Sequence, residues 1–334
     1  MKFIHIITNC NHAVSLGYFL SKLKKKDEHQ VLIDPIRNHS DDFFALVKGQ
    51  FPHTFWLEDS IDFNADDIVI FHGLFSQNAK ILLYKIINSP IKTAWSIWGG
   101  DAALLAKTQA LELLNQLDYV ICAPGETLPF PQFSVPEVNA CLYIPPPISH
   151  QKRNKENLIV LGNSGNPSNN HAYLFGLAKK FKDAKFHIPF AYNGNNSYLE
   201  ELCGLCKELG IFEKVYFQME NLSLNAYYDL FNRAKVFLAA HDRQQALGTM
   251  QIAYRCGCKV FLKKTITLSD NKTAINPSYL TLQMLGYPDV NDITSLENSV
   301  GQISLDHVND NLMHELCFGT PEHNERVFNI LKRK

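Results

Sequence analysis

Several stretches of this 334-residue chain end an apolar run with glycine, small polar residues and an ionisable side chain. Leu161-Gly162-Asn163-Ser164-Gly165-Asn166-Pro167-Ser168-Asn169-Asn170-His171 passes from a strand pattern through flexible residues into a helix pattern, with Ser168 or Asn169 as the expected N-cap. Backbone amides of such a turn, and the positive end of the helix, suit an anionic phosphate. An ordinary strand-to-helix turn is the plainer reading. The stretch is neither a Walker loop, which would need Gly-Lys-Ser/Thr, nor the G-x-G-x-x-G dinucleotide pattern. His241-Asp242-Arg243-Gln244-Gln245-Ala246-Leu247-Gly248-Thr249 repeats the layout. Arg243 offers a forked cation, and Gly248 and Thr249 offer amides and a hydroxyl in a first helical turn. A diphosphate needs such a donor cluster; a helix cap beside a surface arginine is the alternative.

In the first half, three strand ends are unusually polar: Asn9 to His12, His72-Gly73 and Trp98-Gly99-Gly100-Asp101. A carboxylate or imidazole at such an end can take a proton from a hydroxyl, which makes Asp101, His12 and His72 the candidate bases. Asp101 reads equally well as the N-cap of the next helix, and the two histidines as cap or loop residues. The chain contains no Asp-x-Asp pair to hold a divalent cation against a diphosphate. Helix dipoles and Arg243 are therefore expected to neutralise that charge, with no metal and no other cofactor required. Cys203 and Cys206 fall on a helix pattern with no second pair at zinc-ribbon spacing, and Cys256 and Cys258 straddle a helix end. The cysteines read as buried thiols in a reducing compartment, and no metal is assigned.

The elements that must position these residues alternate strand and helix. Phe3 to Ile7, Gln30 to Ile33, His53 to Leu57, Ile68 to Phe71, Thr93 to Trp98 and Tyr119 to Ala123 read as strands; Ala13 to Lys24, Asn78 to Ile87 and Ala102 to Leu117 read as helices. Alternation of this kind implies a mostly parallel sheet covered on both faces. Tyr143 to Asn157, with Pro145-Pro146-Pro147, breaks the pattern and reads as a linker. A second α/β series follows, with strands at Leu158 to Gly162, Lys185 to Phe190, Val215 to Gln218, Val236 to Ala240 and Lys259 to Leu262. Its helices are expected from about Asn169, at Ser197 to Leu209, at Asn225 to Arg233 and at Gln245 to Cys256. The expected division is residues 1–146, residues 147–320 and a terminal helix over 321–334 placed back on the first domain. The fold class is α/β, with two Rossmann-like domains facing across a cleft and ligands beyond the carboxyl ends of the strands.

Bulk properties narrow the function. Hydrophobic residues make up 46% and charged residues 19%, and the net charge is −1, which suits a globular enzyme and not a duplex nucleic-acid binder. No stretch approaches the roughly 20 apolar residues of a spanning helix, and the first apolar run is too short for a signal peptide. A cytoplasmic protein is expected. The basic runs Lys22 to Lys26, Gln151 to Lys155 and Lys332 to Lys334 read as solvated faces, or as contacts to anionic lipid headgroups.

Taken in order, Phe71-His72-Gly73-Leu74-Phe75, Ile97-Trp98-Gly99-Gly100-Asp101, the Leu161 to Gly165 run with Ser168-Asn169-Asn170-His171, and Arg243 to Thr249 resemble glycosyltransferase family 56. These are the 4-acetamido-4,6-dideoxygalactose (Fuc4NAc) transferases of enterobacterial common antigen assembly. The resemblance covers roughly residues 1–265. It implies the GT-B fold, a dTDP-linked Fuc4NAc donor as substrate, and a polyprenyl-diphosphate-linked saccharide acceptor. Carried over by position, Gly162, Asn163 and Ser164 meet the donor's phosphates or sugar, and Arg243, Gln244, Gln245, Gly248 and Thr249 bracket the diphosphate and sugar. By GT-B analogy Tyr192, Met219, Glu220 and Leu222 lie near nucleobase and ribose. The acceptor side holds Asn11, His12, His72, Gly73, Trp98, Gly99, Gly100 and Asp101. The chain departs from the family pattern at Gly100, where alanine is usual, at Ala246-Leu247, where isoleucine precedes the glycine, and at His241-Asp242, where apolar residues are usual. These departures leave the sugar open: a transferase of another dTDP- or UDP-sugar in lipopolysaccharide or capsule synthesis fits the same residues. So does a non-catalytic sugar-nucleotide-binding protein.

Overall fold

The computed structural model describes residues 1–8, 10–35, 41–57, 62–98, 100–102, 111–127, 133–146, 154–268, 271–287, 290–298 and 321–333. The chain forms two compact units, Met1–Pro146 with Cys317–Lys334, and Pro147–Leu316.

In the first unit, strands β1 (Phe3–Thr8), β2 (His29–Asp34), β3 (Thr54–Trp56), β4 (Ile68–His72), β5 (Lys92–Ser96), β6 (Tyr119–Cys122) and β7 (Glu137–Asn139) make a parallel sheet in the order β3-β2-β1-β4-β5-β6-β7. Helices α1 (Asn11–Ser21), α2 (Asp41–Gln50), α3 (Gln77–Ile86) and α4 (Leu111–Leu114) lie between strands. β1 and β4 are buried at every residue, which is why they read as unbroken apolar runs and not as alternating ones. The strand order reverses between β1 and β4. In open α/β sheets the ligand crevice falls at such a reversal, beyond the carboxyl ends of the strands. Residues 103–110 of the helix expected over residues 102–117, and residues 147–153 of the expected linker, lie outside the described residues.

The second unit repeats the plan. Strands β8 (Glu156–Leu161), β9 (Lys185–Pro189), β10 (Val215–Gln218), β11 (Ala234–Ala239), β12 (Lys259–Leu262) and β15 (Asn291–Asp292) form a parallel sheet ordered β10-β9-β8-β11-β12-β15, and β13 (Thr265–Thr267) pairs antiparallel with β14 (Thr273–Ile275). The helices are α5 (His171–Ala178), α6 (Asn196–Glu208), α7 (Leu224–Arg233), α8 (Leu247–Arg255), α9 (Pro277–Met284) and α10 (Thr294–Glu297). Side-chain caps set three starts: Asn195 accepts from the Tyr198 amide, Ser223 from Ala226 and Asn276 from Ser278. The reversal here falls between β8 and β11.

Two expectations are corrected here. The helix after β8 is not capped by Ser168 or Asn169. Pro167–Asn169 forms a 3-10 turn, Asn170 takes the left-handed conformation (φ 53°), and α5 starts at His171. The helix after β11 starts at Leu247 and not at Gln245, because Ala246 is also left-handed (φ 62°). The short strands β7, β13, β14 and β15 were not expected, since two or three residues carry too little periodicity to read.

The last helix, α11 (Pro321–Lys332), belongs to the first unit. Phe328 is buried with its ring 4.9 Å from Phe3 and 4.4 Å from His29, and Lys332 pairs with Glu28 at 2.7 Å. The Tyr119 hydroxyl donates to the Arg333 carbonyl at 2.7 Å.

Candidate active site

In the second unit the site is built around Asn169, which is fully buried. Its Oδ1 accepts from the Asn163 amide (2.8 Å) and from His241 Nε2 (2.9 Å), and its Nδ2 donates to Ser164 Oγ (2.8 Å) and the Asn166 carbonyl (2.9 Å). With Oδ1 accepting, His241 must carry its proton on Nε2. Gly162 sits at φ +66°, and a Cβ there would lie 2.6 Å from Asn169 Oδ1. Glycine at this position therefore lets β8 turn into the loop and leaves room for the asparagine.

The two candidate loops are bonded together. Gln245 receives a hydrogen bond from Ser168 Oγ (2.7 Å) and donates to Asn163 Oδ1 (3.1 Å), while Ser278 bonds both its amide and its carbonyl. Asn170 Nδ2 donates to the Ala240 carbonyl (2.6 Å) and to Asp242 (2.7 Å), whose charge is met by Lys263 at 2.7 Å. Asn163, Gln244 and Arg243 are half-buried. The first bond of α8 is from the Met250 amide to the Ala246 carbonyl, so the amides of Leu247, Gly248 and Thr249 precede the ladder. Neither α5 nor α8 has an acidic residue in its own first turn; at α5 the N-cap Asn170 holds the Asp242 carboxylate, while the start of α8 is left to a bound anion. Thr249 does not present a free hydroxyl: its Oγ1 shares a 2.9 Å hydrogen bond with Tyr227. Tyr192, Met219 and Glu220 are exposed and Leu222 is half-buried, on the loops that follow β9 and β10.

In the first unit the candidates follow β1, β4 and β5. Asp101 is fully buried. Its carboxylate accepts from the Leu74 amide (3.2 Å), Trp95 Nε1 (2.9 Å), the Trp98 amide (2.9 Å) and the Ala102 amide (3.0 Å). Burial raises its pKa while these donors oppose the rise. Every oxygen is occupied, so Asp101 clamps the turn after β5 to the turn after β4. His72 is also buried, with Nε2 against His5 (2.8 Å) and Nδ1 against Tyr143 (2.6 Å), and burial lowers its pKa to about 3. Of the three candidate bases, His12 alone is exposed. Its ring stacks on Trp98 (4.3 Å) and meets Tyr143 edge-on (5.4 Å). Desolvation by that packing lowers its pKa to about 4, which keeps the imidazole neutral at neutral pH and makes it a weaker proton acceptor than a free histidine. Asn11 is exposed beside it.

Gly73 (φ +67°) is required by Trp98, since a Cβ there would lie 2.5 Å from the indole. Gly100 has room for a methyl group, with Phe75 Cζ at 3.5 Å, which explains why alanine fits there too. Gly99 lies outside the described residues. Sequence reasoning missed Tyr143, which it placed in the linker, and Asn169, which it took for a cap. Neither had a motif to mark it. Among the described residues no group of three or more His, Cys, Asp and Glu is placed to hold a metal ion, and no helix is long and apolar enough to cross a membrane.

Known structures share this architecture. The chain is similar to Anabaena HepE in complex with UDP and glucose (TM-score 0.53, 10% identity, 79% of this chain and 81% of that one). It is also similar to the lipopolysaccharide outer core galactosyltransferase WaaB (TM-score 0.52, 13% identity, 99% and 97%). The sucrose-phosphate synthase of Thermosynechococcus elongatus gives a TM-score of 0.55 at 13% identity, over 99% and 95% of the two chains. At these identities the likeness establishes the fold, which is GT-B with two Rossmann-like domains. A family model described as 4-alpha-L-fucosyltransferase, glycosyl transferase group 56, matches residues 7–274. With most of its length matched, this chain belongs to glycosyltransferase family 56 and is a glycosyltransferase that uses a nucleotide-sugar donor.

Proposed function

We propose that the second unit holds the donor diphosphate on the amides and side chains of the Gly162 and Gln245 loops, and that the first unit supplies the base for the acceptor. The observation that carries this reading is the bonded pair of loops at the β8/β11 reversal, where Asn169 and Gln245 tie together the approaches to two helix N-termini. Gly162, Asn163 and Ser164 form the floor. Arg243, Gln244 and the amides of Gly248 and Thr249 stabilise the leaving diphosphate without a metal. Thr249 acts through its amide, its hydroxyl being held by Tyr227. Tyr192, Met219 and Leu222 present apolar surface suited to a nucleobase, with Glu220 beside them.

His12 takes the proton as the acceptor hydroxyl attacks the anomeric carbon and the nucleoside diphosphate leaves. Trp98 and Asn11 shape the acceptor side, and Asp101, Gly73 and Gly100 position Trp98. We infer from the resemblance of the ordered motifs that the donor is dTDP-linked Fuc4NAc and the acceptor a polyprenyl-diphosphate-linked saccharide, in enterobacterial common antigen-like synthesis at the cytoplasmic face of the inner membrane; the family match supports the transferase class. The test is transfer of labelled sugar from dTDP-Fuc4NAc, and separately from UDP-sugars, into membrane-extracted lipid in the presence of EDTA. Label in lipid from the dTDP-sugar alone is expected. Transfer from a UDP-sugar alone would overturn the donor, and transfer only with added magnesium would overturn the metal-independent site.

A further inference from the structure

Three buried histidines of the first unit lie in a line set by the sheet. β1 pairs with β2 at Phe3↔His29 and with β4 at Ile7↔His72. Residues two apart on a strand share a face, so His29, His5 and His72 fall on one diagonal across three strands. The rings meet along it. His29 Nδ1 lies 3.0 Å from His5 Nε2, and His5 Nδ1 lies 2.8 Å from His72 Nε2. His72 Nδ1 then meets the Tyr143 hydroxyl at 2.6 Å, and that hydroxyl meets Ser96 Oγ at 2.8 Å.

A neutral imidazole has one N–H and one lone pair. Both ring–ring contacts run from Nδ1 to Nε2, and each must hold a single proton. The three rings must therefore share one tautomer. If all carry the proton on Nδ1, His72 donates to Tyr143 and Tyr143 donates to Ser96. If all carry it on Nε2, Tyr143 donates to His72 and accepts from Ser96. A mixed set would oppose two lone pairs or two protons where burial makes either costly.

We propose that His29, His5 and His72 act as one switchable file that sets the hydrogen-bond sense of Tyr143, and that Tyr143 is a positioning residue of the acceptor side. The second part rests on the acceptor reading above. The Tyr143 ring stands edge-on to His12 (89°) and to Trp98 (82°), the two rings that stack on each other. Its hydroxyl is fixed from two sides, so the phenol forms a wall that holds that stack. The other end of the file, His29, packs under Phe328 of α11.

The test uses the full chain with isotopically labelled histidine, whose long-range nitrogen–proton correlations report the protonated nitrogen of each ring near neutral pH. His5, His29 and His72 are expected to show one common tautomer. Tyr143→Phe keeps the ring and removes the hydroxyl; it should shift the nitrogens of all three, while exposed His53 stays unchanged. Mixed tautomers, or a change confined to His72, would overturn the file. In the lipid-transfer assay Tyr143→Phe is expected to lower kcat about tenfold with UDP and dTDP affinity unchanged. Wild-type turnover would overturn the positioning role and leave the tautomer result standing. Loss of nucleotide binding in the native chain would count against the donor reading instead.

Discussion

Acidification to about pH 5.5 should weaken both units of this protein before its carboxylates protonate, because its interior is loaded with neutral histidine. His5, His29, His72, His171 and His241 are all 3% exposed or less. Burial holds His29, His72 and His241 at about 3, His171 at about 4 and His5 well below its ordinary value. Their folded pKa values are depressed, so the unfolded chain takes up protons below about pH 6.5 while the native chain does not. Stability from these groups is complete above that pH and is lost as the pH falls from there towards about 3. Between about pH 7.5 and 5.5 each group loses one pH unit's worth of linkage, ~1.4 kcal/mol. The first unit, with three such groups, loses about 4 kcal/mol and the second, with two, about 3 kcal/mol. That is comparable with a domain's whole stability of roughly 5–15 kcal/mol. Hydrogen exchange at the two pH values, read separately for β1 and β8, measures both losses. Equal protection at both pH values, or a loss that begins only in the carboxylate range, would refute the reasoning.

Three further outcomes follow from the geometry. His12→Gln keeps the stack on Trp98 but removes the base, and should lower lipid-transfer turnover by roughly 10²–10⁴ with nucleotide affinity unchanged in calorimetry. Asp101→Asn turns an amide NH2 towards two of the four donors; orphaning them should cost about 2–5 kcal/mol in denaturant unfolding, again without weakening nucleotide binding. Ala246→Gly relieves a left-handed alanine and should raise stability by about 1 kcal/mol, seen as a higher Tm.

The parts of this account that could be read from sequence are local ones. Gly162-Asn163-Ser164 announces a turn at a strand end because glycine and small polar residues have few other uses between an apolar strand and a helix. The strands β1, β4, β8 and β11 read clearly because sheets covered on both faces demand continuous apolar runs. What could not be read depends on register. His5 and His29 look like lone histidines within strands, and only the pairing of β1 with β2 and β4 brings them into line with His72. Asn169 has the residue type of a cap, yet tertiary contacts from Asn163 and His241 claim its side chain. Asp101 has the type and place of a base, and burial under four donors makes it a clamp. Tyr143 sits beside a proline run that reads as linker, and no local pattern tells that its hydroxyl is held by His72 and Ser96.

The central claim, a donor site built on the Gly162 and Gln245 loops, is tested most directly by calorimetric titration of dTDP and UDP into the native chain and into Gly162→Ala, each with and without EDTA. The added methyl would lie 2.6 Å from Asn169 Oδ1 and force alanine into a conformation costing roughly 1–2 kcal/mol, displacing the asparagine that holds Asn163 and His241. The account predicts dTDP binding that survives EDTA in the native chain and is lost in Gly162→Ala. Binding that the substitution leaves intact, or no binding of either nucleotide to the native chain, would contradict it.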